Sequence, residues 1–309
     1  MFNGFARAAP GSRSRSPLAG PLRPQARVLV TGNEKGGSGK STLAALIATA
    51  ALYRGRRVAV LDLDLRQQSL SRLMQNRRRW LPAAGVPAPM PLEYKLVEDP
   101  ASIAEDHAMA VGLFDEAMEL ACATVDLVVI DTPGGDTPVS RAAHARADLL
   151  VTPMNDSFVD FDVLGTVDPV TFRLERVSHY ARTILEARAG RARRGRDLDW
   201  VVLCNRLTGA GSHNRDRLDR ALAELAAETG FRVGPSLRER VIYREMFPYG
   251  LTLADLSALP RPGALSSPRA AAREEVAALV EALNLGGVET PPITVLSGSS
   301  RGEAAAENP

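Results

Sequence analysis

The chain has 309 residues, 45% of them hydrophobic, with 38 Lys or Arg against 36 Asp or Glu for a formal net charge of +2. That length suits one large α/β domain or two small ones, and no run approaches the ~20 apolar residues that span a bilayer. The two cysteines, Cys122 and Cys204, lie far apart in apolar stretches, which argues against a disulfide framework and for a reducing, cytoplasmic setting.

Residues 1–26 are rich in Arg, Pro, Ser, Gly and Ala and hold no acidic residue, so they read as a disordered basic tail. They lack an apolar h-region and do not read as a secretory signal. Strands are then expected over 28–32, 58–62, 127–131, 149–153, 200–204 and 231–234. Most are apolar almost throughout, as parallel strands buried on both faces are. Helical patterns over 41–53, 110–122 and 215–229 alternate with them. That order predicts an α/β fold: a single doubly wound, mostly parallel sheet with helices on both faces, spanning 27–286. The Pro-rich stretch 81–92 is expected as a loop or strand-edge excursion, and the basic run 191–196 as a surface loop. Residues 287–309 read as a second disordered tail. No repeat shows at solenoid periods.

Three of the 38 basic residues are lysines, Lys35, Lys40 and Lys95, and two of these share one short loop. A compact ammonium on a flexible stem suits a tight phosphate cradle better than a planar guanidinium does. That loop, Gly36-Gly37-Ser38-Gly39-Lys40-Ser41-Thr42, follows an apolar strand and opens a helix, as a P-loop does. Glycines at positive φ let backbone N–H groups approach phosphate oxygens, and the first helical turn adds open donors. Lys40 is placed to bridge the β- and γ-phosphates of ATP, and the Ser41 hydroxyl to ligate Mg²⁺.

Acids close two of the strands. Asp62 and Asp64 follow Val58-Ala59-Val60-Leu61, and Asp131 follows Leu127-Val128-Val129-Ile130, running on into Thr132-Pro133-Gly134-Gly135-Asp136. Carboxylates at strand C-termini face the crevice where ligands sit in open α/β sheets. Asp131 is expected to hold Mg²⁺ through water, and the Gly134 N–H to sense the γ-phosphate. Asp62 is assigned a secondary role, in the outer magnesium shell or as a turn cap.

Lys35, immediately before the two glycines, is not needed to hold the chain's own nucleotide. With it the loop resembles the deviant Walker A motif of the ParA/MinD superfamily. In that superfamily this lysine reaches across a dimer to the partner's nucleotide. The resemblance implies that Asp64 orients the attacking water and that Asn205, ending Val201-Val202-Leu203-Cys204, bonds the adenine. Arg206 and the backbone around Pro248-Tyr249-Gly250 are weaker members of the same base pocket.

Within the superfamily the chain is similar to the MipZ branch, from about Arg27 to about Leu285. The segments that carry this are Gly32-Asn33-Glu34-Lys35-Gly36-Gly37, Asp62-Leu63-Asp64-Leu65-Arg66-Gln67, Asp131-Thr132-Pro133-Gly134-Gly135-Asp136, the stretch from Thr152 to Phe161, and Arg238-Glu239-Arg240-Val241-Ile242-Tyr243-Arg244-Glu245. Leu65-Arg66 stand where ParA proteins usually have Pro-Gln. The resemblance implies a slow Mg-dependent ATPase that positions the division plane by inhibiting FtsZ polymerisation. It also implies an ATP-dependent homodimer, binding to ParB, and nucleoid association through chromosomal DNA without sequence preference.

Arg215, Arg217 and Arg220, with Arg238, Arg240 and Arg244, are the cations proposed to neutralise DNA phosphates. For these clusters the alternative is an ordinary solvated face, since Asp216, Asp219 and Glu239 are interspersed among them. A ParA-type partition ATPase shares this chemistry and is the alternative. A MinD-like membrane switch is disfavoured because 273–285 carries Glu274, Glu275 and Glu281, and a nucleotide-driven reductase because Cys122 and Cys204 lack the arrangement of an interchain iron–sulfur site. His107, His144, His179 and His213 show no metal-ligand spacing.

Overall fold

The computed structural model describes residues 25–97, 106–206, 213–238, 242–257 and 269–285. The tails assigned to 1–26 and 287–309 lie outside these residues, apart from Gln25 and Ala26. Nine strands are described: β1 (Arg27–Thr31), β2 (Val58–Asp62), β3 (Leu92–Tyr94), β4 (Leu127–Asp131), β5 (Leu149–Asn155), β6 (Gly165–Val167), β7 (Leu174–Val177), β8 (Asp199–Asn205) and β9 (Arg232–Val233). The helices are α1 (Lys40–Tyr53), α2 (Ser69–Ala84), α3 (His107–Thr124), α4 (Pro138–Arg146), α5 (Phe158–Phe161), α6 (His179–Ala192), α7 (His213–Thr229), α8 (Ile242–Met246) and α9 (Arg269–Ala282).

Seven strands form one sheet in the order β3-β2-β4-β1-β5-β8-β9, every pair parallel. Successive strand side chains point to opposite faces, and both faces are covered. Leu29, Val60, Val129 and Val151 enter one core, with Leu43 and Leu46 of α1, Leu70 and Met74 of α2, and Leu279 of α9. Val30, Leu61, Ile130 and Leu150 enter the other, with Phe114 of α3, Ala143 of α4, Ile184 of α6 and Leu222 of α7. Burial on both sides is why these strands read as unbroken apolar runs. No described helix is long and apolar enough to cross a membrane.

The structure departs from the sequence reading at four places. α2 runs on through Pro82 to Ala84 and stops at Gly85, which takes φ +63. Pro82 lies inside the helix and supplies no N–H to its ladder, and the helix ends two residues later. The edge strand β3 and the antiparallel hairpin β6–β7 were not expected; each strand has only three or four residues and no clear alternation. Finally, Arg191 is not part of a surface loop: it closes α6, is 3% exposed, pairs with Asp148 and donates to the Asp197 carbonyl.

Candidate nucleotide site

β1 occupies the centre of the sheet, and α4 carries the chain over it from β4 to β5. The crevice beyond such a crossover, at the strand C-termini, is where open α/β sheets bind ligands. The loop that leaves β1 is braced before it reaches its glycines. Asn33 donates from Nδ2 to the Pro153 carbonyl (2.8 Å) and accepts the Lys35 N–H on Oδ1 (2.7 Å). Gly37 and Gly39 take φ +76 and +92, a region that favours glycine. A Cβ on Gly39 would also stand 2.2 Å from Asn205 Nδ2, so this position has no room for a side chain.

Lys40 opens α1, is buried, and donates from Nζ to the Lys35 carbonyl (3.0 Å). Burial lowers its pKa, while the fields of Asp131 and Asp64 oppose that shift. The N-terminus of α1 has neither a side-chain cap nor an acidic residue in its first turn. Its N–H donors and positive dipole end therefore remain available to an anion.

Asp62 and Asp131 are register partners at the ends of β2 and β4, so their carboxyls lie side by side. Asp62 accepts the N–H of Asp64 (3.1 Å) and of Ser71 (2.9 Å). Asp131 is fully buried and accepts from Thr31 Oγ1 (3.3 Å), and the Ser41 hydroxyl nearby opposes the rise in its pKa. Its Oδ2 is buried without a partner. Burial, first of all, pushes both carboxyls above their usual range, and the Asp62 charge adds to the effect at Asp131. Two adjoining carboxylates, one unsatisfied oxygen and a serine hydroxyl form an oxygen set that fits Mg²⁺.

A cavity of about 650 Å³ opens at Ser41, lined also by Lys40, Thr42, Asp64, Arg66 and Gly134 among others, with the Asp62 and Asp131 carboxyls behind its wall. Asp64 accepts the Gln67 N–H there (2.9 Å). The Gly134 backbone packs on the loop: a Cβ at that position would stand 3.5 Å from Glu34 O and Gly36 N. A second hollow of about 330 Å³ adjoins it, lined by Leu43, Asn205, Leu237, Tyr243 and Phe247 among others. Gly39, Thr42, Arg206 and Phe247 belong to both. One space holds phosphate-binding groups and the other is largely apolar, a division suited to a nucleotide. Asn205 donates from Nδ2 to the Ser38 carbonyl (2.9 Å) and accepts the Arg206 N–H (3.0 Å), so its amide also braces the cradle. Phe247 and Tyr243 form the wall that the sequence reading placed at Pro248-Tyr249-Gly250; two aromatics in a mixed stretch give no periodic signal of it.

Lys35 lies outside both linings. Its Nζ is 2.6 Å from Asp160 Oδ1 and donates to the Val159 carbonyl (3.3 Å). Asp160 is 5% exposed and is fixed by Ser157, whose Oγ donates to its Oδ2 (2.9 Å). This acid was missed from sequence because four strands, β2 to β5, separate it from its lysine along the chain.

The arginines assigned to DNA are not equivalent. Arg215 is held by Asp156 (2.9 Å) and Asp219 (3.0 Å), and the Arg217 guanidinium lies 4.2 Å over the Phe172 ring. Arg220 is exposed and has no ion pair among the described residues. Arg238 is exposed, 4.0 Å from Glu275, at the rim of the apolar hollow. Arg240 lies outside the described residues. Beyond the Asp62, Asp131 and Ser41 oxygens, no group of three or more His, Cys, Asp or Glu placed to hold a metal occurs among the described residues.

The parallel sheet, the glycine cradle on its central strand and the paired strand-end carboxyls define a P-loop nucleotide-binding protein of the ParA/MinD fold. The model of the family described as ATPase MipZ matches residues 27–287, and the chain belongs to that family. A curated relative, the chromosome-partitioning ATPase Soj of Thermus thermophilus, is 28% identical over 55% of this chain. That match takes in 66% of Soj, just under two thirds of its length. Among solved structures, the ATP complex of a Cyanothece McdA variant is similar at TM-score 0.56 and 19% identity, over 84% of this chain and 97% of that one. A Borrelia burgdorferi plasmid partition protein bound to AMPPNP is similar at TM-score 0.54 and 13% identity, over 83% and 98%. Likeness at these identities shows the fold.

Proposed function

We propose that the protein is an ATP-driven dimerisation switch that inhibits FtsZ polymerisation and so positions the division site, through contacts with ParB and non-specific chromosomal DNA. The observation that carries the switch is the position of Lys35. Its ammonium turns out of its own protomer's cavity onto Asp160, while Lys40 supplies the cation over the phosphates. A lysine in the cradle sequence that does not serve its own cradle suits service to a partner's nucleotide. On this reading ATP releases Lys35 from Asp160, and two protomers close over two nucleotides.

The backbone donors of Gly36 to Lys40 and the first turn of α1 bind the phosphates. Ser41, with Asp131 through water and Asp62 behind them, would hold Mg²⁺, which would supply positive charge against the phosphate oxygens. Asp64 orients the attacking water. The Gly134 backbone, packed on the loop, registers the γ-phosphate, as switch segments do. Hydrolysis returns the monomer. The ParB and FtsZ contacts follow from family membership alone.

Purified protein added to polymerising FtsZ tests the target. Suppression of polymer with ATP, and none without it, is expected. Normal polymer under both conditions rejects the FtsZ reading and leaves a partition ATPase, which the identity to Soj favours.

A further inference from the structure

We propose that the solvent face of α2, with the aromatic pair beside it, is a docking surface for an acidic polypeptide segment carrying an apolar side chain. The proposal does not depend on how Lys35 acts.

α2 has four arginines, Arg72, Arg77, Arg78 and Arg79, and no acidic residue. Two of the four are engaged. Arg77 is fully buried against Asp255 (2.7 Å), and Arg78 pairs with Glu93 across the edge of the sheet (2.9 Å). Arg72 and Arg79 are exposed and make no ion pair among the described residues. Seven positions apart, they share the stripe that points away from the buried line of Leu70, Leu73, Met74 and Arg77. Like charges held on one helix face oppose folding slightly, and none of the described residues supplies their counter-charge.

The flank of that stripe is aromatic. The Trp80 ring lies 5.4 Å from Tyr249, and Asn76 donates to the Phe247 carbonyl (3.0 Å). Tyr249 and Phe247 are 42% and 38% exposed. Arg beside Trp and Tyr is the composition of protein-interface hot spots. Duplex DNA would offer phosphates to two arginines and nothing to the aromatics. An acidic segment with an apolar side chain uses both. Arg72 and Arg79 are roughly 10 Å apart along the helix, and an extended partner sets same-face carboxylates two or four positions apart, roughly 7 or 13 Å, within reach of the two long side chains.

The surface is also tied to the nucleotide site. The Asn76 bond reaches the residue that lines both hollows. A partner seated on α2 therefore presses on a wall of the nucleotide pocket, and by linkage each ligand would change the affinity of the other.

The chain reports on this patch by itself. Trp80 and Trp200 are its two tryptophans, and Trp200 is fully buried. The probe is a 16-residue peptide of Glu, Leu and Phe without Trp or Tyr, titrated into the full chain while tryptophan emission is read. A saturable change is expected. Arg72→Glu with Arg79→Glu should weaken it at least tenfold, and Arg193→Glu with Arg194→Glu, an exposed control pair, should leave it unchanged. A peptide with Gln for every Glu should bind at least tenfold more weakly. Unaltered ATP affinity and melting temperature in the α2 pair show that the fold is intact, and the milder Arg72→Ala with Arg79→Ala serves if they shift. No saturable change, or equal loss in both charge-reversed pairs, overturns the proposal. So does a 20-base-pair duplex that displaces the peptide and loses affinity in the same α2 variant, since the surface then belongs to nucleic acid.

Discussion

The phosphate cradle and helix α7 are both rich in charge, but they use it in opposite ways. In the cradle, Lys40 meets only a backbone carbonyl, Asp131 keeps an oxygen without a partner, and the start of α1 has no cap. In α7, Arg215 is held by two aspartates and Arg217 rests on a phenylalanine ring. Charges left unmatched inside a fold cost free energy, and they persist where a ligand supplies the missing partner. Charges matched by neighbours hold structure together and have little left for a ligand. Residue type alone, therefore, does not mark the phosphate cradle; what marks it is that its charges are left incompletely paired.

Replacing the unmatched lysine should give the largest effect. Lys40→Ala should weaken ATP binding by roughly a hundredfold or more, about 2.7 kcal/mol, in a direct titration. An unchanged affinity removes Lys40 from the site. Asp64→Ala should separate catalysis from binding. Single-turnover hydrolysis should fall by about 10²–10⁴-fold while ATP affinity moves less than about threefold. Loss of ATP binding as well would place Asp64 in the magnesium shell instead.

A matched charge should act on stability. Arg77 is fully buried with Asp255, which also accepts from Tyr53 and Thr252, and Arg77 itself donates to the Pro89 and Gly250 carbonyls. Arg77→Ala should cost about 3–5 kcal/mol in urea unfolding, because Asp255 is left buried and unpaired. A loss under about 1 kcal/mol would show that water or rearrangement satisfies Asp255. The smallest effect distinguishes two members of one helix. Arg220→Ala should flatten the salt dependence of DNA binding by about one unit of slope, and Arg215→Ala by none. Equal slopes in the two variants would mean that the pairs to Asp156 and Asp219 open on binding.

Most of the cradle was legible because its signal is local. Strand, glycines, Lys40-Ser41-Thr42 and helix follow one another within a few residues, and backbone requirements set each choice. The central strands were legible for the same reason, since burial on both faces writes itself as an apolar run. β3 and the β6–β7 hairpin were not, because strands of three or four residues carry too little pattern to separate from loop. The Lys35–Asp160 pair and the network around Arg77 were invisible, being contacts between distant segments. Arg191 misled for a related reason: within a run of arginines nothing local shows that Asp148 and the Asp197 carbonyl will claim one of them.

The central claim is that Lys35 serves a second protomer's nucleotide and rests on Asp160 until ATP arrives. Light scattering with saturating Mg-ATP tests it most directly. Wild type should rise from 33.1 kDa to twice that mass, and Lys35→Ala should remain at the monomer mass while still binding ATP. A Lys35→Ala protein that doubles its mass with ATP as wild type does would contradict the account.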